Sequence, residues 1–106
     1  MTKYLLYALL LVSLLYLESC GRKPYACFMT EPDEEEIHVN QPVTFYAGCS
    51  INAETFFWEF YGNDDSTDYG YSTTRTFYTP GQVKVFLIVV GQGKSTATER
   101  YITVQP

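Results

Sequence analysis

The sequence predicts an all-β protein in which two antiparallel sheets pack face to face. From Tyr25 onward, apolar residues alternate with polar ones or run continuously, and no stretch keeps the 3.6-residue period of a helix. Valine, threonine, tyrosine and phenylalanine, which are enriched in strands, dominate these stretches. Turn-forming residues divide them into short segments. Several short strands at this spacing are typical of an antiparallel sandwich.

The start of the chain has the organisation of a secretory signal. A short charged beginning precedes an apolar stretch from Tyr4 to Leu17, and small residues follow. This stretch has about 14 residues, fewer than the roughly 20 that a helix needs to cross a bilayer. Cleavage after export is therefore favoured over the alternative, an uncleaved N-terminal anchor.

Leu17, Ser19 and Cys20 resemble the lipobox of bacterial lipoproteins, with Glu18 at the position that departs from the pattern. The resemblance implies cleavage before Cys20, which then carries acyl chains such as palmitate that hold the protein in a membrane. The residue after the cysteine is not the aspartate that the resemblance would link to inner-membrane retention, so an outer-membrane location is favoured. We expect three parts: a signal peptide at 1–19, a lipidated cysteine with a short tether at 20–24, and a domain at 25–106.

The chain is acidic, which excludes one class of partner. It contains 12 acidic and 7 basic residues, for a formal net charge of -5. Removal of residues 1–19 takes away one charge of each sign, Lys3 and Glu18, so the net charge does not change. Binding to nucleic acid needs clustered lysine and arginine to replace counterions. We therefore expect no nucleic-acid partner.

Three strands are expected in the first half of the domain, at about residues 25–30, 42–48 and 54–61. The first carries Phe28. Val43 and Phe45 share one face of the second strand, since successive side chains point to opposite sides of a sheet. The same rule places Phe56, Trp58 and Phe60 on one face of the third.

Three more strands are expected at about residues 74–78, 82–90 and 96–104. The fifth follows a Pro-Gly turn and is almost wholly apolar, with only Lys84 breaking the row. One of its faces carries Val83, Val85, Leu87 and Val89, which suit a core between two sheets. The residues that we expect at the centre of this core are Phe45, Trp58, Phe60, Val85 and Leu87.

Two motifs in the second half resemble the PKD domain, the module named after polycystic kidney disease. The run from Phe57 to Phe60 leads into a Gly-Asn-Asp loop, where that family has Trp-x-Phe-Gly-Asp-Gly. The run from Thr76 through Pro80-Gly81 to Leu87 is similar to the family's next strand pair. The resemblance covers about residues 25–104 and implies an immunoglobulin-like antiparallel β-sandwich that binds or spaces other molecules and seldom catalyses.

Two cysteines remain once Cys20 is assigned to lipid. An even pair in an exported protein usually forms a disulfide, so we expect a bond between Cys27 and Cys49 on the first two strands. Strand parity places Cys27 outward and Cys49 inward, and a bulge at Gly48 would turn Cys49 outward to meet its partner. The alternative is two separate buried thiols.

The outer row of the apolar strand suggests a partner-binding face. If Val85 and Trp58 face inward, side chains from three adjacent strands face outward together: Phe57, Phe86, Ile88 and Tyr101. Large exposed apolar patches rimmed by charge tend to mark protein partner sites. The alternative is ordinary cross-strand packing on a solvated sheet, where Lys84 and Glu59 provide solubility.

No residue pattern suggests catalysis or a cofactor. His38 is the only histidine and has no nearby nucleophile, which favours an exposed position at a strand edge. Asn63, Asp64, Asp65 and Asp68 offer hard oxygen ligands of the kind that calcium prefers, but a solvated turn is the favoured interpretation of this segment. The acidic run 31–36 is expected to be a solvated loop. We predict neither a bound metal nor a cofactor.

These observations together predict a lipid-anchored, non-catalytic module of the bacterial cell envelope that binds a protein or a glycan. A structural subunit of an envelope assembly is the alternative, and an enzyme is the least favoured. Glycan binding predicts exposed aromatic rings beside a polar cleft. A structural subunit predicts a flat apolar patch rimmed by charge.

Overall fold

A computed structural model describes residues 22–62 and 65–106 of the chain. The signal peptide, Cys20, and the loop residues Asn63 and Asp64 lie outside the described residues. Within them, no helix is long and apolar enough to cross a membrane.

Seven strands and one turn of 3-10 helix follow one another in the described chain. The strands are β1 (Met29–Glu31), β2 (Pro42–Tyr46), β3 (Thr55–Tyr61), β4 (Ser66–Tyr69), β5 (Ser72–Thr76), β6 (Gly81–Gly91) and β7 (Lys94–Val104). The 3-10 turn, Glu34–Glu36, lies within the acidic run that the sequence predicted to be a loop.

The strands form two antiparallel sheets that enclose one core. The first sheet has the order β1-β2-β5, and the second has the order β4-β3-β6-β7. β6 pairs with β3 on one side and with β7 on the other, so it lies at the centre of its sheet, as predicted. The β-sandwich predicted from the sequence is therefore confirmed.

The core is built from the alternate residues that the sequence pattern selected. Trp58 is fully buried and donates a hydrogen bond of 2.8 Å from its indole Nε1 to the carbonyl oxygen of Gly70. Phe45 packs edge-on against Phe60, with ring centroids 5.1 Å apart. All the residues predicted at the centre of the core are fully buried: Phe45, Trp58, Phe60, Val85 and Leu87.

The second sheet contains one strand that the sequence analysis missed. We predicted a loop from residue 62 to residue 70, but β4 pairs with β3 there, with Tyr69 opposite Phe57 and Ser66 opposite Phe60. β3 ends at Tyr61, and β4 begins at Ser66. Polar residues dominate β4 because it is an edge strand whose outer side faces solvent, so its pattern resembles a loop.

The first two strands are shorter than predicted, and β5 begins earlier. β2 ends at Tyr46 because the chain turns directly afterwards, where the amide of Ser50 donates to the carbonyl oxygen of Ala47 at 2.9 Å. β5 spans Ser72–Thr76, opposite β2, and Phe77 enters the core just after the strand ends.

Candidate functional site

The outward residues of β3, β6 and β7 form one face of the second sheet, which we call the outer sheet face. Phe57 lies opposite Ile88, and Lys84 lies opposite Tyr101. Phe57, Phe86 and Ile88 are partly buried, whereas Tyr101 is 59% exposed. The four residues therefore share a face, as the sequence pattern predicted, but three of them are already partly covered by neighbouring side chains.

Charged side chains interrupt the apolar rings of the outer sheet face. Phe86 lies in the register between Glu59 on β3 and Glu99 on β7. The ammonium group of Lys84 lies 4.9 Å from the centroid of the Phe86 ring and 3.4 Å from the carboxylate of Glu99. This face consequently mixes rings with ion pairs, and its role in partner binding stays a prediction.

Neighbouring side chains shift the pKa values of two titratable groups on this face. Tyr61 donates a hydrogen bond of 2.5 Å to Glu59, and this bond raises the pKa of the tyrosine hydroxyl. Partial desolvation acts to lower the pKa of Lys84, but the hydrogen bond and the charge of Glu99 raise it overall. Both shifts favour the protonated forms, so both groups keep their protons to a higher pH than they would in free solution.

Two shallow clefts meet at Tyr71 on another part of the surface. The first cleft has a volume of about 590 Å³ and includes Met29, Glu31, Asp33, Glu36, Tyr46 and Tyr71 in its lining. The second cleft, of about 400 Å³, is lined by Glu54, Thr55, Phe56, Tyr69, Gly70 and Tyr71. Because Tyr71 lines both, we treat them as one site and call it the tyrosine clefts.

The backbone around Tyr71 is held in place from two directions. Its carbonyl oxygen accepts a hydrogen bond of 2.9 Å from the amide of Ala47. The preceding residue, Gly70, has a φ of +119°, which suits glycine, and its carbonyl oxygen accepts the hydrogen bond from Trp58. The core tryptophan therefore fixes the short connection that presents Tyr71.

Side-chain packing also orients the ring of Tyr71. The ring meets Phe56 edge-on, with centroids 5.7 Å apart. Gly48 lies so close that a Cβ atom there would stand 2.4 Å from the tyrosine hydroxyl oxygen. A side chain at position 48 would therefore have to displace the ring, although 56% of Tyr71 remains exposed to solvent.

Tyr69 supplies a second exposed ring. It is 75% exposed, and its ring packs against Phe57 with centroids 4.8 Å apart. Asp68, its neighbour, accepts hydrogen bonds from the amide of Tyr69 and from the hydroxyl of Thr73. The Thr73 hydrogen bond, followed by that amide, lowers the pKa of Asp68, so the carboxylate joins β4 to β5 beside the clefts.

Aromatic rings and carboxylates line the tyrosine clefts together. Tyr46, Tyr69 and Tyr71 supply ring surfaces, while Glu31, Asp33, Glu36 and Glu54 supply oxygen acceptors. Aromatic faces pack well against the C–H side of a sugar ring, and carboxylates accept hydrogen bonds from hydroxyl groups. The arrangement therefore suits a polyhydroxylated ligand lying across the surface.

The cysteines of the domain lie beside these clefts. Cys27 and Cys49 form a disulfide in the structure, with their Cα atoms 5.2 Å apart. Both lie outside the strands on which we expected them: Cys27 precedes β1, and Cys49 lies in the turn that follows β2. That turn, rather than a bulge at Gly48, brings Cys49 to its partner. Ser50 strengthens the junction through hydrogen bonds to the backbone of Cys27.

The remaining candidate groups have local roles. His38 is exposed next to β7, where it bridges to Gln105, and its ring nitrogen Nδ1 lies 3.0 Å from the carbonyl oxygen of Glu36. Asp65 accepts a hydrogen bond from the amide of Gly62. In residues 22–62 and 65–106, no group of three or more histidine, cysteine, aspartate or glutamate residues could hold a metal ion.

Sequence reasoning missed the tyrosine clefts. Asp68, Tyr69 and Gly70 were interpreted as part of a loop, and neither Tyr46 nor Tyr71 was assigned a role. The concentration of tyrosine was visible, since the chain has 10 of them. What the sequence did not contain was the pairing of β2 with β5, which brings Tyr46 and Tyr71 together.

The fold is similar to two solved β-sandwich structures. One is a chain from a structural study of carbohydrate-binding modules of the β-sandwich superfamily and their promiscuous specificity, with a TM-score of 0.68 and 29% identity. That match covers 79% of this chain and 35% of the other, so this chain spans about a third of the length of its match. The other is the PKD1 domain of Vibrio anguillarum Epp, with a TM-score of 0.61, 18% identity and coverage of 80% of this chain and 96% of that domain.

No protein-family model and no curated protein matches the sequence. The structural similarity confirms the PKD-like, immunoglobulin-like β-sandwich that the two sequence motifs predicted.

Proposed function

We propose that this protein is a non-catalytic glycan-binding module, held at a membrane of the bacterial cell envelope by lipid on Cys20. The observation that carries the proposal is the meeting of two clefts at Tyr71, where exposed tyrosine rings and carboxylates line the same surface. Glycan binding was expected to place exposed rings beside a polar cleft, and the first of the tyrosine clefts has that composition. Support also comes from the similarity of the fold to carbohydrate-binding modules.

The shape of the site favours a chain of sugars over a small compact ligand. Enclosed pockets bury most of a small molecule, whereas these clefts are shallow and open along their length. Tyr69 and Tyr71 provide rings on one side of the junction and Tyr46 provides one on the other. Consecutive sugar units can therefore contact successive rings, each contributing a modest part of the affinity.

A panel of immobilised polysaccharides, including envelope glycans, tests this function. We expect the wild-type protein to be retained by at least one of them and Tyr71→Ala to lose most of that retention. Tyr101→Ala is the matched control, because Tyr101 is as exposed as Tyr71 but lies on the outer sheet face. Retention that is equal in all three proteins would contradict the assignment, as would no retention of the wild type by any glycan.

A second candidate is a structural subunit that docks a protein partner through the outer sheet face. The specific observation in its favour is the grouping of Phe57, Phe86, Ile88 and Tyr101 on one face of the central strands. Crosslinking in intact cells followed by mass spectrometry distinguishes the two functions. A single protein recovered in stoichiometric amounts, and lost on substitution of this face, would favour the subunit.

A further inference from the structure

The chain that leads from the candidate lipid attachment site enters the domain at one end of the sandwich. The backbone groups of Tyr25 and Ile51 form two reciprocal hydrogen bonds, of 2.8 and 3.0 Å. The next residue, Asn52, approaches the turn between β6 and β7 so closely that a Cβ on Gly91 would stand 2.0 Å from its carbonyl oxygen. Gly91 pairs with Lys94 at the start of β7. We call this set of residues, 22–25, 51–54 and 90–94, the N-terminal end.

The N-terminal end is basic although the protein as a whole is acidic. It carries Arg22, Lys23 and Lys94 against the single carboxylate of Glu54. The whole chain has a formal net charge of -5. A local excess of positive charge on an acidic domain attracts anionic surfaces in one orientation only.

The opposite end of the sandwich has the reverse charge. Glu35 lies there, because its carbonyl oxygen accepts a hydrogen bond from Gln105, one residue after β7. Asp65 lies in the turn between β3 and β4, at the same end. In the described residues, the segments that form this end, 35–42, 61–62, 65–66, 78–82 and 102–106, contain no lysine or arginine.

The N-terminal end also exposes apolar side chains beside its cations. Tyr25 is 58% exposed and Ile51 is 57% exposed, and their backbones are bonded to each other. Tyrosine is enriched at membrane interfaces, where its ring lies among the lipid headgroups. An exposed tyrosine and isoleucine next to basic residues are the combination expected of a surface that lies on anionic lipid.

The tether between the lipid attachment site and the domain is short, so it keeps this end of the domain close to the membrane surface. Pro24 is buried in the domain. Three residues separate it from Cys20, and the four steps along an extended chain from Cys20 to Pro24 span at most about 14 Å. A lipid on Cys20 therefore keeps the N-terminal end within reach of the headgroups.

We propose that the N-terminal end rests on the anionic headgroups of the bilayer, through Arg22, Lys23, Lys94, Tyr25 and Ile51. The orientation rests on the lipid anchor of the proposed function and does not depend on glycan binding. It directs the acidic end away from the membrane. The acyl chains hold the protein in the membrane, and the contact adds electrostatic attraction that fixes the orientation of the domain.

Fluorescence quenching by a headgroup-labelled lipid tests the orientation. The full, exported protein is reconstituted in vesicles of phosphatidylcholine and phosphatidylglycerol that contain a nitroxide-headgroup lipid. Ile51→Trp reports on the N-terminal end. Tyr78→Trp is the matched control, because Tyr78 is 75% exposed and precedes the turn into β6 at the opposite end. Trp58 is fully buried and contributes the same background emission in both variants. The emission of the wild type, measured in the same vesicles, gives that background.

We expect the added emission of Ile51→Trp to fall by at least about half and that of Tyr78→Trp to stay close to its unquenched value. Reversing the three charges, with Arg22→Glu, Lys23→Glu and Lys94→Glu, should return the Ile51→Trp signal to the level of the control. High salt should have the same effect in part, because it screens exposed charges. Thermal unfolding of the charge-reversed variant checks that its fold is intact.

Equal quenching at the two ends, or quenching that survives charge reversal, would overturn the orientation while leaving the anchor in place. An intact mass without acyl chains would overturn both the anchor and the orientation. Glu54 belongs both to the N-terminal end and to the lining of the second cleft, so glycan retention is measured on the detergent-solubilised protein, where it reports on the tyrosine clefts without the membrane contact. A protein that is oriented as proposed but retains no glycan would therefore refute only the glycan-binding function.

Discussion

The outer sheet face and the tyrosine clefts both carry aromatic rings, but their rings are used differently. On the outer sheet face, Lys84 lies over Phe86 and pairs with Glu99, so each group meets a neighbour from the same sheet. In the tyrosine clefts, the ring of Tyr71 meets Phe56 edge-on and its hydroxyl end lies close to Gly48, while 56% of the residue stays exposed to solvent. On the outer sheet face, side chains of the same sheet contact the rings. The rings of the tyrosine clefts are held in position with a free side, which is what a ligand requires.

The largest expected effect comes from a substitution that unfolds the domain and so removes both surfaces together. Trp58→Ala deletes the largest buried side chain and its hydrogen bond to Gly70, which supports the tyrosine clefts. Truncating such a core aromatic residue typically costs about 3 to 5 kcal/mol, a large share of the stability of a small domain. We expect the variant to fail to fold, as judged by circular dichroism and thermal unfolding. A melting temperature near that of the wild type would show that Trp58 does not hold the two sheets together.

Removing the disulfide should weaken the clefts more than the outer sheet face. The bond between Cys27 and Cys49 closes a loop with a sequence separation of 22 and fixes the turn that carries Gly48 beneath Tyr71. Closing a loop of this length contributes on the order of 3 kcal/mol in the chain-entropy model. We expect Cys27→Ala with Cys49→Ala to unfold at lower denaturant concentration and to bind glycan less tightly. Unchanged stability of the double variant, or two free thiols in unreduced wild-type protein, would contradict this role.

Substitution on the outer sheet face should have a smaller effect and leave the clefts intact. Phe86→Thr with Ile88→Thr removes cross-strand pairs that each contribute roughly 0.2 to 1 kcal/mol, and threonine suits a strand. We expect a modest loss of stability in urea unfolding and no change in glycan retention. Loss of a crosslinked protein partner in this variant would support the structural subunit instead, and complete unfolding would show that this row belongs to the core.

The smallest expected effect is a change in how thermal stability depends on pH in the acidic range. The hydrogen bond from Thr73 holds the pKa of Asp68 below its ordinary value of 3.8. A carboxylate with a lowered pKa in the folded state contributes stability that is complete above the unfolded pKa and is lost as pH falls through the folded value. We therefore expect the wild type to lose thermal stability below about pH 4 more steeply than Asp68→Asn. Parallel pH profiles for the two proteins would show that this carboxylate does not join β4 to β5.

Much of the fold was predictable because one periodicity recurs in several strands. Val83, Val85 and Leu87 alternate with partly exposed residues, and the structure buries all three. Alternate side chains of a strand point to the same face of the sheet. The row that enters the core can therefore be recognised within the sequence of the strand itself. β4 was missed because an edge strand of polar residues has no buried row to reveal it.

The candidate site was less predictable because it depends on contacts between distant segments. Tyr46 and Tyr71 lie at the ends of β2 and β5, and only the register between these strands brings them together. The position of Tyr71 also requires the close approach of Gly48 and the hydrogen bond from Trp58 to Gly70. None of these contacts produces a short motif. The PKD-like motifs, in contrast, lie within single strands and turns, where sequence comparison detects them.

Nuclear magnetic resonance offers the most direct test of where the ligand binds. The isotope-labelled protein would be titrated with a soluble oligosaccharide of the glycan that retains it, and the shifts of backbone amides would be followed. The account predicts the largest changes at Tyr46, Tyr69, Gly70 and Tyr71, with little change at Phe86, Ile88 and Tyr101 on the outer sheet face. Changes concentrated on the outer sheet face, with the tyrosine clefts unaffected, would contradict the assignment of the clefts as the binding site.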